Sequence, residues 1–285
     1  MARKGTDMTK RVALVTGASS GIGEATARQL HEAGFIVYGA ARRADRMTEL
    51  AASGVRTLSL DVTDETSTRN AVAEILAAEG RIDVLVNNAG YGSYGALEDV
   101  PMREARAQIE VNLFGLAQLT QLVLPAMRAQ RSGTIINISS MGGRFATPMG
   151  AWYHASKYAV EGLSDALRLE LKQFGIAVLL IEPGSIRTEW GAIAAEKLRT
   201  TSGQGAYAAQ ANAMAASLEA SSRPDARMTS PASVIAEAVT RAATARRPRT
   251  RYRVGFGARP LILLSRILPD RTFDALVKRS SGVPA

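Results

Sequence analysis

The chain contains no cysteine, which excludes disulfides and thiolate metal sites and suits a reducing compartment. Only two histidines occur, His31 and His154, too far apart in sequence to suggest a histidine-based metal centre, and no metal is expected. No stretch approaches the ~18 uncharged apolar residues of a membrane-spanning helix. The basic start, Met1 to Arg11, precedes an apolar run that Gly17, Ser19 and Ser20 interrupt. That run is too short for a signal-peptide core, so a cytoplasmic protein is expected. Acid is scarce at one end only. From Arg241 onward, 11 Lys and Arg face Asp270 and Asp274 alone, whereas residues 1–240 hold 24 side chains of each sign. The net charge of +9 therefore belongs to a C-terminal segment and not to the body of the fold.

What is present suits one large α/β domain: 285 residues, 46% of them hydrophobic, with no internal repeat. Apolar runs at Val12–Val15, Phe35–Ala41, Val55–Leu60, Ile82–Val86, Thr134–Ile138 and Ile176–Ile181 read as strands, with helical patterns between them. A helix over Pro101–Arg131 carries Pro125, which predicts a kink or break. Helices are also expected over Ala151–Phe174 and Ser230–Ala245, and an edge strand over Thr250–Val254. Alternating strands and helices call for right-handed crossovers. The fold class expected is α/β: a doubly wound, Rossmann-type three-layer αβα sandwich with a mostly parallel sheet of about seven strands.

In such sheets ligands bind at the carboxyl ends of strands. The first strand runs into Thr16-Gly17-Ala18-Ser19-Ser20-Gly21-Ile22-Gly23 and then a helix, the arrangement in which free backbone N–H groups receive a phosphate. The second ends at Ala41-Arg42-Arg43, with no acid to take a ribose 2′-hydroxyl and two arginines to accept a 2′-phosphate, which favours NADP(H) over NAD(H). Asp61 could approach an adenine or brace a turn. The amides of Asn87-Asn88-Ala89-Gly90 either tie neighbouring strands together or face a ligand, and Asn112 is either a satisfied seam residue or a functional amide.

Tyr153 and Lys157, four residues apart on a helix, lie on one face. There the ammonium stabilises the phenolate and brings its titration toward neutrality. Of the seven tyrosines, only Tyr153 has a lysine at this spacing.

With these pieces in order, Arg11 to Thr188 resembles the short-chain dehydrogenase/reductase family, in its compact single-domain branch. The likeness rests on Thr16-Gly17-x-x-x-Gly21-x-Gly23, Asn87-Asn88-Ala89-Gly90, Asn112, Ser140, Tyr153-x-x-x-Lys157 and Pro183-Gly184-x-x-x-Thr188. The resemblance implies an NADP(H)-dependent oxidoreductase interconverting a secondary alcohol and a ketone. Tyr153 is then the acid and base, Lys157 its partner on the nicotinamide ribose, and Ser140 the group that holds the substrate oxygen. Asn112 would hold a water in a proton relay. The cofactor set implied is Gly17, Ser19, Ser20, Gly21, Ile22, Gly23, Arg42, Asp61, Val62, Asn88, Ala89, Gly90, Tyr153, Lys157, Pro183, Gly184, Ile186 and Thr188. Ser140 is preferred to Ser139 because the family places this serine thirteen residues before the tyrosine.

The apolar C-terminal run resembles the extensions of steroid- and retinol-type members, so a hydrophobic carbonyl or alcohol substrate is expected, walled by Met141, Met149 and Trp190. The division expected is a flexible lead over residues 1–10 and a catalytic domain over 11–257 with a substrate-capping segment at 188–227. A basic amphipathic extension follows over 258–285. A homodimer or homotetramer is implied through Pro101–Arg131 and Ala151–Phe174. No nucleic-acid partner is expected. The alternatives are a non-catalytic cofactor-binding interaction module, and peripheral contact with an anionic surface through Arg246-Arg247-Pro248-Arg249-x-Arg251-x-Arg253.

Overall fold

The computed structural model describes residues 10–282, so all but the last residue of the expected flexible lead lies outside the described residues. The elements alternate in chain order: β1 (Val12–Thr16), α1 (Gly21–Glu32), β2 (Ile36–Ala41), α2 (Thr48–Ala52), β3 (Arg56–Ser59), α3 (Glu65–Glu79), β4 (Val84–Asn87) and α4 (Met102–Ile109). Next come α5 (Leu116–Gln130), β5 (Gly133–Ile138), α6 (Ala151–Leu171), β6 (Ile176–Pro183), β7 (Ile186–Arg187), α7 (Trp190–Ser202) and α8 (Ala208–Ser222). The chain finishes with β8 (Ser230–Pro231), α9 (Ser233–Thr244), β9 (Arg251–Val254), α10 (Ala258–Ile267) and α11 (Asp270–Ser280).

All side chains of β1 and β4 are buried, because a parallel strand covered on both faces has no solvent side. The sheet has seven strands in the order β3-β2-β1-β4-β5-β6-β9, every pairing parallel. On one face Ala27 and Leu30 of α1 and Ile235 and Val239 of α9 join Val15, Val37 and Val86. On the other, Val72 and Ile75 of α3 and Leu119, Val123 and Met127 of α5 meet Leu14, Leu85 and Ile135. The strand order reverses between β1 and β4, which opens a crevice at their carboxyl ends.

Three expectations need correction. The helix over Pro101–Arg131 is interrupted not at Pro125, through which α5 continues, but by a π-helical turn at Glu110–Gly115. That turn admits Val62, whose carbonyl oxygen would stand 2.7 Å from a Cβ on Gly115. Second, Met102–Gln130 as a whole is long and apolar enough to cross a membrane by length and composition, contrary to the reading of the sequence. Here its apolar stripe is spent on the sheet. Third, the helix expected from Ser230 begins at Ser233, since Ser230 and Pro231 pair with Ile186 and Arg187.

The C-terminal segment is packed into the body. Phe273 of α11 meets Phe145 edge to face at 5.3 Å between ring centroids, and Ile262, Val277 and Met141 complete that cluster. Arg251 of β9 reaches Asp165 at 2.7 Å, Glu161 at 3.1 Å and Glu182 at 3.2 Å, and Arg253 pairs with Glu182 at 3.0 Å. Glu161 and Glu182 are 4% and 0% exposed, so these arginines are counter-ions to the interior and not solvated tail charges. Burial, aided by the neighbouring Glu182 charge, pushes the Glu161 carboxyl up, while Ser139 and Arg251 pull it down.

A carboxyl raised in this way binds its proton more tightly when folded, so stability falls as pH rises from the unfolded value through the folded one. Removing Arg251 widens that loss and leaves Glu161 to the more distant Arg144 and Glu182 to Arg253. We expect Arg251→Ala to lower unfolding free energy by about 3 kcal/mol near neutral pH and by clearly less at about pH 5. Urea denaturation at the two pH values reads the difference.

Candidate active site

The glycine-rich turn begins where β1 stops. Gly17 and Gly21 have φ of +66° and +57°, a region side chains disfavour. A Cβ on Gly23 would lie 2.2 Å from the Gly17 carbonyl oxygen, so no larger residue fits there. Ser20 stands in extended backbone before α1 and offers no side-chain cap, which leaves the first N–H groups of the helix without a side-chain partner. Such a terminus, with Ser19 and Ser20 half-buried at its mouth, is chemically suited to a pyrophosphate. Ile22 packs back onto the core.

Asn88 ties strands together. Its Nδ2 donates to the carbonyl oxygens of Thr16 at 2.9 Å and Gly17 at 3.3 Å. The Thr16 hydroxyl accepts the backbone N–H groups of Asn88 and Ala89, each at 3.0 Å. Asn87 donates to Thr120 and to Asn137, whose own amide donates to Ser164, a buried ladder joining β4, β5, α5 and α6.

Toward the outer end of the crevice, Arg42 and Arg43 leave β2 exposed. Asp61 accepts from the Thr63 N–H at 3.0 Å and its hydroxyl at 2.8 Å, so its Oδ1 braces the turn, while Val62 is buried. Arg42, Thr63, Tyr91, Val111 and Lys197 line a cleft of about 430 Å³. Tyr91 donates to Glu104 at 3.2 Å, and burial beside that carboxylate pushes its phenol up to about 12. Lys197 also pairs with Glu104, and Arg46 meets Glu189 at 3.8 Å, so the segment leading into and along α7 is pinned across the crevice.

The inner end holds the reacting groups. Tyr153 and Lys157 are each 8% exposed on α6. The Lys157 ammonium donates to the Ile138 carbonyl at 2.9 Å, and burial draws its pKa down to about 8, opposed by the Glu161 charge. Contrary to expectation, the Tyr153 phenol is pushed up. Burial raises it, and the opposing pull comes from a hydrogen bond with Ser140 and not from the lysine. Ser140 in turn accepts the Gly142 N–H at 2.9 Å. Asn112 accepts from the Tyr91 N–H and donates to the Tyr91 carbonyl and to Ser156, each at 3.0 Å. A Cβ on Gly90 would lie 3.1 Å from Asn112 Oδ1 and 3.8 Å from Lys157 Nζ, which places the Asn88–Gly90 turn, Asn112 and Lys157 side by side.

Trp190 at the start of α7 lies 5.3 Å from the Tyr153 ring, and Tyr94 lies 5.6 Å from it. Met149 joins this apolar cluster with a φ of +64°, whereas Met141, expected beside it, packs toward α10 and α11 instead. Gly184 donates to Val254, and its missing Cβ would stand 2.0 Å from the Phe256 carbonyl oxygen, so Pro183-Gly184 is held against the C-terminal segment. Ile186 packs on the core, and Thr188 Cγ2 closes to 3.2 Å from where a Gly21 Cβ would be.

His154 is a clamp. Its Nε2 accepts the Thr147 N–H at 2.9 Å, so the other nitrogen carries the proton and donates to the Gly142 carbonyl at 2.9 Å. Burial lowers its pKa, which keeps it neutral. Sequence reasoning also passed over Glu161, which the four-residue step from Lys157 would have found, and Ser156, whose hydroxyl links the Tyr153 carbonyl to Asn112.

Residues 11–198 match the family model described as short chain dehydrogenase. The 3-ketodihydrosphingosine reductase of Bacteroides thetaiotaomicron is 47% identical over 181 residues, which cover 64% of this chain and 66% of that protein. The NADPH-dependent 3-dehydrocapnine reductase of Ornithobacterium rhinotracheale is 43% identical over 191 residues, 64% of this chain and 67% of that protein. The crystal structure of a short-chain dehydrogenase from Streptomyces avermitilis superposes with a TM-score of 0.79 at 33% identity, covering 96% of each chain. The chain belongs to the short-chain dehydrogenase family and is an oxidoreductase acting on CH–OH groups.

A lysine whose folded pKa is depressed costs stability wherever it is charged, and the cost fades as pH rises from the folded toward the unfolded value. Lys157→Met should therefore unfold at higher urea than the parent near neutral pH, by up to about 3 kcal/mol. The advantage should narrow from about pH 8 toward pH 10.5, while turnover is lost.

Proposed function

We propose that the protein reduces a ketone on a hydrophobic substrate with NADPH, using Tyr153 as the proton donor. The observation that carries this reading is the convergence of Tyr153, Ser140 and Lys157 at the carboxyl end of β5, under the apolar lid of Trp190 and Tyr94.

The residues present fit the cofactor. The α1 N-terminus and the Gly17–Gly23 turn would hold its pyrophosphate, Arg42 and Arg43 its 2′-phosphate, and Lys157 its nicotinamide ribose. When bound, NADPH supplies the hydride. The chain supplies the proton. A phenol raised by burial stays protonated at neutral pH, which suits donation to a carbonyl oxygen as charge gathers on it. The Ser140 hydroxyl provides a second contact to the same oxygen. Lys157, with a pKa of about 8, can hold or pass a proton near neutrality, and Asn112 stands beside it across Gly90. Trp190, Tyr94 and Met149 exclude water from the reacting face.

The substrate class is read from that apolar wall and from the two similar proteins, which reduce 3-ketodihydrosphingosine and 3-dehydrocapnine. A steroid-like or retinol-like compound would suit the same apolar wall. Residues 11–257 form the catalytic domain in this reading, 188–227 its cap, and 258–285 a buttress. Phe114 and Leu169, 54% and 73% exposed on the helices expected to mediate assembly, support a homo-oligomer, and we place the enzyme in the cytoplasm.

Tyr153→Phe should lower turnover about a hundredfold or more while NADPH affinity stays near that of the parent, read by steady-state kinetics beside fluorescence titration. Retained turnover would remove the assignment. Titrated side by side, NADPH should bind more tightly than NADH. Replacing Arg42 and Arg43 with Ala should weaken NADPH by roughly ten- to a hundredfold and leave NADH almost unchanged.

A further inference from the structure

We infer that the cleft between the loop at Ala146–Pro148 and α11 is a binding site for an anionic amphiphile, an inference that stands apart from the reductase reading.

The cleft measures about 960 Å³, at the upper end of the range that small-molecule sites occupy. Its walls are the loop on one side and α11 on the other, with Arg271, Lys278 and Arg279 against a single acid, Asp274. Between the charges the lining is apolar: Ala146, Pro148 and Val277 among others. The lining therefore has the two characters of an amphiphile, a greasy length and a cationic end.

These cations differ from the other arginines of the basic segment. Arg251 and Arg253 are bound to Glu161, Asp165 and Glu182, and Arg144 reaches the same carboxylates at 3.5 and 3.9 Å. Arg271, Lys278 and Arg279 form no salt bridge among the described residues, so their charge is available to a ligand. The cleft is also not remote from the chemistry. Thr147 is bonded through its N–H to His154, the neighbour of Tyr153, and Phe273 locks α11 to Phe145 of the same loop. An occupant would rest on the outer side of the loop whose two ends carry Ser140 and Met149.

The same chemistry, an anion on an apolar chain, could be presented by a free amphiphile or by a membrane of anionic lipid. Decanoate, decanol and decyltrimethylammonium, titrated calorimetrically into the full-length protein without cofactor, separate charge from chain. Decanoate should bind at least tenfold more tightly than either other probe, and added salt should weaken it. Arg271→Gln with Lys278→Gln should cost about tenfold for decanoate and leave decanol unchanged. Ala275→Trp, which fills the cleft and keeps every charge, should abolish decanoate binding. Tyr153→Phe should bind decanoate like the parent, so a failure of the reductase reading shows in turnover and not here. Equal affinity for decanoate and decanol, or an unaltered double variant, would overturn the site. So would retention on phosphatidylglycerol vesicles without saturable decanoate binding, which would assign the cations to a membrane surface.

Discussion

A charged lysine held out of water is the constraint from which the rest of the site can be derived. Lys157 keeps its ammonium against one carbonyl, that of Ile138 at the end of β5, and its charge is supported from below by Glu161 one helical turn away. That arrangement is costly. It persists because the surroundings leave no alternative: Gly90 brings the β4 turn against the ammonium, and Asn112, fixed by three hydrogen bonds, closes the other side. The π-helical turn belongs to this enclosure, since it sets Asn112 at the seam while Val62 wedges beneath it.

The support for Glu161 comes from far along the chain. Arg251 lies 90 residues away in sequence from Glu161, in the last strand of the sheet, and Glu182 at the end of β6 shares the same guanidinium. One buried carboxylate thus faces two tasks, biasing the lysine and anchoring the tail. Coulomb attraction at short range inside the fold is strong enough for both, provided the arginine stays in place. The basic segment that invited comparison with surface-binding tails is in this part an internal counter-charge, which weakens the case for an anionic-surface binder through Arg251 and Arg253.

Much of this was legible in the sequence, for reasons that can be named. Parallel strands buried on both faces write themselves as unbroken apolar runs, so β1, β4, β5 and β6 were recognisable with boundaries off by a residue or two. The glycine turn, the Arg42–Arg43 pair and the Tyr153–Lys157 spacing were legible as local patterns, whereas Ser140 came only with the family resemblance and the role of Asn88 was left open. What escaped depends on contacts between distant residues. Nothing near Pro125 says that the helix will absorb the proline and yield at Asn112 instead. The direction of the Tyr153 shift was misread because spacing on a helix reports proximity and says nothing of burial, and here burial outweighs the neighbouring charge. Met141 was assigned to the wrong wall since the tail that claims it folds back over more than a hundred intervening residues.

The seventh strand has a consequence beyond the active site. β9 is what covers the outer edge of β6, with Leu180, Ile181, Glu182 and Pro183 paired to Arg251, Tyr252, Arg253 and Val254. A chain cut before this strand would keep every residue of the reacting set. It would also present a row of unpaired backbone groups along the apolar strand β6, with Glu182 at its end left to Arg144 alone. Such an edge is a template for another strand. Shortening the protein in search of a minimal enzyme would therefore trade a covered strand for an exposed one, and the first sign of the lost tail would be insolubility rather than altered kinetics.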